Sequence, residues 1–335
     1  MQQRNITSFR FYAHTFKAQM KNLFKKVLIG DIKVEEYSTV TTEGEIKERV
    51  FLKVLNFTFD ISKIHWLLCL DPIVFGIWLK KDENIITINE KTSCSMYFSD
   101  SNNADFKSDR RNVVAIIALD YFDKIEETEG TLYLLKLRES KIYHVNFFKT
   151  FLLFYKYYKK PKFSFEKYKS LIAAYSYPRR VRVVSFKQDD YFNIFPMDLL
   201  GEIPQSGKYV FGLRHTNVAL AKIIETKKIV VSEVPYIYKD TIYELGKHHS
   251  GAPPSPDSLP FKIKQTENFG FLIPEWADSY KEIQILKTKN LGSHMMLWGE
   301  IINEKTLKQP SDNLYHIHFL LYYHQKLKKQ DYRVV

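Results

Sequence analysis

Residues 291–301, LGSHMMLWGEI, decide how the second half of this chain folds. Gly292 and Ser293 make a turn, and the residues after them alternate as a strand requires. Successive strand side chains point to opposite faces. His294, Met296, Trp298 and Glu300 therefore share one face, and Met295, Leu297, Gly299 and Ile301 share the other. The second set is small and apolar and suits a barrel interior. His294 is left at the mouth of the strand, with no nucleophile or metal set near it in sequence.

Working outward, EIQILKTKN (282–290) reads as the strand paired with it. RRVRVVSF (179–186), KYVFGL (208–213) and IVVSEV (229–234) are further strands, rich in β-branched and aromatic residues. KQDDYFN (187–193) reads as a turn. RHTNVALAKIIETKK (214–228) switches from strand to helix. Thr216 is the expected N-cap, with Val218, Ala221 and Ile224 toward a core and Lys222 and Glu225 outward. Arg214-His215-Thr216-Asn217 then sets a guanidinium, a hydroxyl and an amide at a helix start, where free N–H groups and the dipole favour phosphate. Ordinary capping with a surface arginine is the competing reading. Residues 243–262, YELGKHHSGAPPSPDSLPFK, form a long irregular loop of the kind that is functional or mobile. In YHIHFLLYYHQKL (315–327), His316 and His318 alternate on a strand face. No carboxylate or cysteine sits at ligand spacing, so a polar face or a seam between subunits is expected there rather than a metal. Asp189, Asp190 and Asp198 lie in turns with no nameable partner.

The first half is a mixture. RVFLKVLNFTFDI (49–61), IVFGIWLKK (73–81), NIITINE (84–90), NVVAIIALDYF (112–122) and GTLYLLKLR (130–138) are strand candidates. NFFKTFLLFYKYYKK (146–160) and SFEKYKSLIAAYSY (164–177) are helical, the latter opened by Ser164, and FSDSNNADFKSDRRN (98–112) is a loop. No internal repeat is legible. No Walker, G-x-G-x-x-G or G-x-S-x-G motif occurs.

At 335 residues with 45% hydrophobic content the chain can fill one large domain or two ordinary ones. Two cysteines, Cys69 and Cys94, are too few for a disulfide framework and fit a reducing compartment. The opening residues lack the apolar core of a signal peptide. The apolar runs at 64–79 and 147–158 are broken by Asp71-Pro72 or carry lysines, short of the roughly 20 residues a bilayer span needs. A cytoplasmic protein with no membrane association is expected. The net charge is +12, and residues 156–187 hold ten Lys/Arg against Glu166 alone. Interleaved basic and aromatic residues there admit a nucleic-acid surface, but no recognised nucleic-acid motif accompanies them, and a solvated connector is the expected reading.

Taken in order, three segments resemble the flavin-reductase-like family, the FMN-binding split barrels. RVRVVSFKQDDYFNIFPMDLLGEI (180–203) is similar to its opening strands. YVFGLRHTNVALAKIIETKKIVVSEV (209–234) is similar to its strand, short helix and strand. GFLIPEWADSYKEIQILKTKNLGSHMMLWGEII (270–302) is similar to its late section with a Gly-Ser-His turn. The resemblance spans residues 178–335. It implies a mainly β fold with a few helices: a six-stranded antiparallel Greek-key split barrel in a domain at 171–335, beside an α+β domain at 1–170 of uncertain fold, which could be a degenerate second barrel. It also implies FMN (FAD being possible) with NAD(P)H as co-substrate, and a homodimer or single-chain pseudo-dimer. Carried over by position, Asn193, Ile194, Phe195 and Pro196 would flank the flavin ring. Leu213, Arg214, His215, Thr216 and Asn217 would hold ribityl and phosphate oxygens. Ser293 and His294 would sit near the cofactor or nicotinamide, His294 filling the catalytic position. NIFPMDLLGEIP (193–204) is bulkier than the family's small-residue run. The expected function is NAD(P)H-dependent flavin reduction. The alternatives are a non-catalytic FMN-binding or ligand-binding barrel, and a nucleic-acid-associated protein using residues 156–187.

Overall fold

The strand-rich runs fold into two seven-stranded antiparallel sheets with one and the same strand order. The computed structural model describes residues 38–41, 46–81, 87–100, 112–310, 312–328 and 333–334, together with Met20 and Leu23. After a short strand β1 (Ser38–Thr41), the first sheet comprises β2 (Arg49–Val54), β3 (Phe57–Asp60), β4 (His65–Leu70), β5 (Ile73–Lys80), β6 (Cys94–Ser99), β7 (Val113–Glu126) and β8 (Gly130–Ile142), ordered β3-β2-β6-β7-β8-β5-β4. Helices α1 (Phe147–Leu153) and α2 (Phe165–Ala174) and a two-residue strand β9 (Arg179–Arg180) follow. The second sheet comprises β10 (Arg182–Gln188), β11 (Tyr191–Met197), β12 (Leu200–Ile203), β13 (Lys208–Arg214), β14 (Lys228–Glu233), β17 (Ser279–Asn290) and β18 (His294–Thr306), ordered β11-β10-β14-β17-β18-β13-β12. Helix α3 (Leu220–Thr226) joins β13 to β14, and helix α4 (Lys239–Glu244) and the small hairpin β15–β16 (Ile263–Gln265, Leu272–Pro274) precede β17. The chain then runs through β19 (Leu314–Ile317), helix α5 (Phe319–Leu327) and β20 (Arg333–Val334).

Strand by strand, β2, β3, β4, β5, β6, β7 and β8 correspond to β10, β11, β12, β13, β14, β17 and β18. The fold is mainly β and antiparallel, as expected. The described strands between Arg49 and Ile142 form a second copy of the same sheet, a repeat that the sequence does not disclose. The sheet of the second half has seven strands where six were expected, and no ladder joins its edge strands β11 and β12 among the described residues.

One face of each sheet closes over its own core. Val50, Leu52, Phe75, Met96, Ile117 and Leu135 line the first; Val184, Phe195, Phe211, Val231, Ile283 and Leu297 line the second. The other faces meet in a shared cluster that holds Leu68, Val74, Trp78, Leu134, Val210, Met296 and Trp298. In β18, Met296 and Trp298 point to this seam while Leu297 points to the core, the alternation expected from residues 294–301. The pairs Val74/Val210 and Leu134/Met296 are equivalent positions, so the halves pack through matching faces, as the subunits of a two-fold dimer do. Trp78 and Trp298 stack at 6.1 Å between centroids. Lys287 and Lys289 of β17 pair with Glu127 and Asp123 at the tip of the β7–β8 hairpin.

The C-terminal segment locks the halves a second time. β19 pairs with both β1 and β9. Leu321 of α5 enters the first core, Gln325 Nε2 donates to the buried Glu48 at 2.7 Å, and His324 Nε2 lies 2.8 Å from the buried Asp100.

Several local readings hold. Ser164 caps α2 by accepting from Lys167 N–H at 3.1 Å. Others shift. Residues 87–90 of NIITINE are not strand, and residues 84–86 and most of the 98–112 loop lie outside the described residues. Helix α3 starts at Leu220 with Ala219 at its N-cap position, so Thr216 does not cap it. Its buried residues are Leu220 and Ile223, with Ala219 just before them; Ala221 and Val218 are exposed. Asn217 Oδ1 accepts from Ala219 N–H at 2.9 Å and thereby delays the first turn.

The seam leaves no space at Gly212. A Cβ added there would lie 1.9 Å from the carbonyl oxygen of Leu68, a backbone atom that cannot rotate away. Gly212→Ala is expected to destabilise the protein by roughly 2 to 3 kcal/mol, as over-packing does. Urea unfolding measures this, and an unchanged midpoint would mean the sheets are not pressed together at this point.

Candidate functional site

Arg214 and His294 are register partners, the last residue of β13 opposite the first of β18. The two turns that follow and precede them therefore lie side by side. His215 N–H donates to Ser293 carbonyl at 3.3 Å, and His215 Nε2 lies 3.2 Å from Asn290 Oδ1. They open onto a cavity of about 320 Å³ lined by Pro196, Asp198, Arg214, His249, His294 and His316, among others. That volume is at the lower end of the range for ligand pockets.

His294 is 2% exposed. Its Nδ1 lies 2.8 Å from Ser293 Oγ, which already accepts the Asp71 backbone N–H at 3.0 Å. The hydroxyl oxygen has a second lone pair, so the contact is compatible with either tautomer; with the hydroxyl proton on the Nδ1 side, the neutral ring carries its own proton at Nε2. Burial, and then the positive charge of Arg214, push the His294 pKa down to about 4, so the ring is neutral at pH 7. His249 is pushed down to about 4 by the same two causes. At the mouth stands one exposed guanidinium, Arg214, with two uncharged imidazoles behind it.

The floor carries the opposite charge. Burial alone would raise the Asp198 pKa, but the Arg179 guanidinium and His316 hold its carboxyl well below the usual carboxylate range. Arg179 Nε donates to Asp198 Oδ2 at 3.0 Å and His316 Nδ1 lies 3.1 Å from the same oxygen. Asp198, without a nameable partner in the sequence, thus has two. His316 does not share a face with His318: it belongs to β19, while His318 is the N-cap of α5 and accepts from Leu320 N–H. Among the described residues no three His, Cys, Asp or Glu side chains form a group that could hold a metal.

The structure divides the residues expected at the site. Arg214, His294 and Pro196 line the cavity, and Ser293 orients His294. His215 and Thr216 are exposed beside Arg214, and Asn217 is buried with its Nδ2 lacking an acceptor. Leu213 and Phe195 are fully buried in the second core, so their side chains face away from the cavity. Asn193 and Ile194 are fully buried too and hold the neighbouring loop: Asn193 Nδ2 donates to His248 carbonyl at 3.1 Å, and Ile194 carbonyl lies 3.2 Å from His248 Nδ1. That contact brings His249 to the cavity. The sequence pattern singles out His316 and Asp198, and His248-His249 as a possible metal ligand with His316 and His318, but not their grouping around one cavity, because that depends on contacts between residues far apart in the chain. The helix contributes no anion site of its own, since α3 has only seven residues and begins six positions after Arg214.

The first half does not repeat the site. Val74-Phe75-Gly76 of β5 and Val210-Phe211-Gly212 of β13 are the same tripeptide in equivalent strands, with Gly76 opposite Leu134 and Gly212 opposite Met296. Two residues further on, the Arg214–His294 pair is matched by Trp78 opposite Leu132. Both are buried in the seam.

No protein-family model matches the chain, and no curated protein is similar to it in sequence. The solved structures similar to it include flavin-binding proteins, as the sequence resemblance implies. The FMN-binding protein from Thermus thermophilus with bound p-hydroxybenzaldehyde is 17% identical with a TM-score of 0.37, over 42% of this chain and 86% of that one. The NADH:FAD oxidoreductase SgcE6 of Streptomyces globisporus C-1027 is 15% identical with a TM-score of 0.41, over 47% and 90%. Flavoredoxin from Methanosarcina acetivorans is 13% identical with a TM-score of 0.35, over 39% and 70%.

The depressed histidines carry a pH signature. Their folded pKa of about 4 lies below the ordinary 6.5. The unfolded chain therefore binds more protons between those values, and stability is full above pH 6.5 and falls as the pH drops toward 4. His294→Gln cannot take up the proton and should flatten part of that fall. Denaturant unfolding at pH 7 and pH 5 measures it; an identical slope in both proteins would place His294 in contact with water.

Proposed function

We propose that the cavity binds FMN and that the protein is an NAD(P)H-dependent flavin oxidoreductase. The observation that supports this most directly is the Arg214–His294 register pair. It sets a guanidinium at the mouth of a cavity whose inner wall offers a neutral imidazole. A phosphate dianion is matched by the guanidinium fork, here flanked by the exposed Thr216 hydroxyl and the unpaired Asn217 amide. Neutral His294 would donate through Nε2 to an acceptor of the ring system, and Ser293 would hold it in that tautomer. Pro196 would pack on the ring. The backbone before it, Asn193 to Phe195, would act by fixing the His248–His249 loop rather than by touching the ligand. Bound FMN would supply the hydride chemistry, and the chain would supply binding, orientation and exclusion of water.

The first sheet of the same chain would stand where a partner subunit stands in a dimer, with Asp71 N–H fixing Ser293 from across the seam. The first half would then be a scaffold for a single site, with Trp78 and Leu132 occupying the place of a second.

A non-catalytic FMN-binding protein is the competing reading, favoured by the Asp198 carboxylate on the cavity floor, which stands near the expected path of an electron-rich reduced ring. Two measurements decide. Purified protein mixed with FMN should show a perturbed flavin absorbance spectrum and should oxidise NADH or NADPH; a perturbed spectrum with no oxidation of either leaves only binding. Arg214→Ala should weaken FMN binding by a factor of about ten or more, the loss of a charge-assisted contact of about 1.5 to 3 kcal/mol. Equal affinity in a fluorescence titration would put the phosphate elsewhere.

A further inference from the structure

Asp198 also borders a second cavity, of about 200 Å³, on the line where the two halves join. The first half contributes Ser62, Lys63 and His65 to it, and the second half contributes Arg179, Arg180 and Arg182. Arg179 is 9% exposed. Its Nε is taken by Asp198, and its guanidinium carbon lies 3.6 Å from the centroid of Tyr175. Its other two nitrogens, Nη1 and Nη2, are buried and have no hydrogen-bond partner. Buried polar groups are nearly always paired, and a guanidinium whose outer nitrogens are free presents donors to an oxyanion in a fixed geometry.

The charges around the cavity leave room for an anion. Glu233 binds Arg182 at 2.6 Å and Arg180 at 2.9 Å, and Asp198 binds Arg179 at 3.0 Å. Three guanidinium groups thus share two carboxylates. His65 is uncharged at pH 7, since burial pushes its pKa down to about 4, and its Nδ1 is held by Ile61 carbonyl at 2.7 Å. In a low-dielectric setting guanidinium nitrogens left without partners are costly, and an anion that pairs with them offsets that cost.

We propose that this inter-half cavity binds a phosphate-class dianion through Arg179 Nη1 and Nη2, the dianion being a free phosphate or the phosphate group of a bound nucleotide. The site is separate in its evidence from the Arg214 reading. Calorimetric titration of the full chain with inorganic phosphate, in chloride buffer of matched ionic strength, should show saturable binding of one ion. Arg179→Lys keeps a cation for Asp198 and removes the free fork; it should weaken phosphate at least about tenfold, equivalent to about 1.4 kcal/mol. Circular dichroism checks that the variant folds, and the wild-type titration stands without it. Addition of FMN to the phosphate-loaded protein separates the two sources: released phosphate assigns the fork to a nucleotide tail, and retained phosphate assigns it to the free ion. Absence of saturable phosphate binding by the wild type, or equal binding by a folded Arg179→Lys protein, overturns the proposal. Phosphate binding by a protein that leaves FMN unperturbed would overturn the flavin reading and leave this one intact.

Discussion

The backbone of one strand, Leu68 to Asp71, fixes most of the rest. It runs against two glycines of the other half, Gly212 and Gly292, where a side chain would strike the Leu68 or Asp71 carbonyl oxygen. Gly292 also takes φ of +121°, which only glycine adopts without strain. Two hydrogen bonds complete the contact: Ser293 N–H to Asp71 carbonyl at 2.7 Å and Asp71 N–H to Ser293 Oγ at 3.0 Å. The turn that presents His294 is therefore shaped by the opposite half. Loosening β4 would move the histidine without touching any residue that lines the cavity.

A pair of matching sheets would be expected to give two matching sites, and this chain has diverged to one. In a homodimer, a substitution at the seam appears twice and must suit both sides. In a single chain each copy varies alone. The first copy has put Trp78 and Leu132 where the second keeps Arg214 and His294. A tryptophan buried against Trp298 removes a large apolar area from water, worth a few kcal/mol. An arginine and a histidine facing a cavity contribute little of that kind. The first half places apolar packing where the second half places a polar pocket.

How much of this was legible depends on the range of the interaction. The alternation at residues 294–301 is a property of neighbours, and it gave the correct faces. Ser164 as a cap is likewise local. Helix α3 starts later than a Thr216 cap predicts because Asn217 Oδ1 takes the Ala219 N–H in a turn before the helix, a competition between adjacent side chains that the preference for either residue does not resolve. The repeat was missed for a different reason. A sheet is specified by the pattern of buried and exposed positions, which many sequences satisfy, and between the equivalent strands β5 and β13 only Val-Phe-Gly is identical. Topology persists where sequence does not, because strand order and seam packing constrain hydrophobicity and size rather than residue type.

The basic segment shows the same limit from the side of charge. Ten Lys/Arg in residues 156–187 suggest an exposed cationic surface, but composition cannot say which cations are paired. Arg180 and Arg182 both reach Glu233, and burial, which alone would raise the Glu233 pKa, is outweighed by these two guanidiniums so that its carboxylate stays ionised. Arg179 reaches Asp198, which reaches His316. These pairs join residues nineteen or more apart, and they connect β9 and β10 to the segments that wall both cavities. Of these three arginines Arg179 is therefore buried, and Arg180 and Arg182 are half-buried. Their charge organises the junction between the halves and differs on either side of Asp198: on one side the carboxylate lies near neutral imidazoles, and on the other the buried Arg179 guanidinium keeps two unpaired nitrogens. An exposed strip of the same composition would have been screened by salt and water; buried, it makes two neighbouring cavities electrostatically distinct.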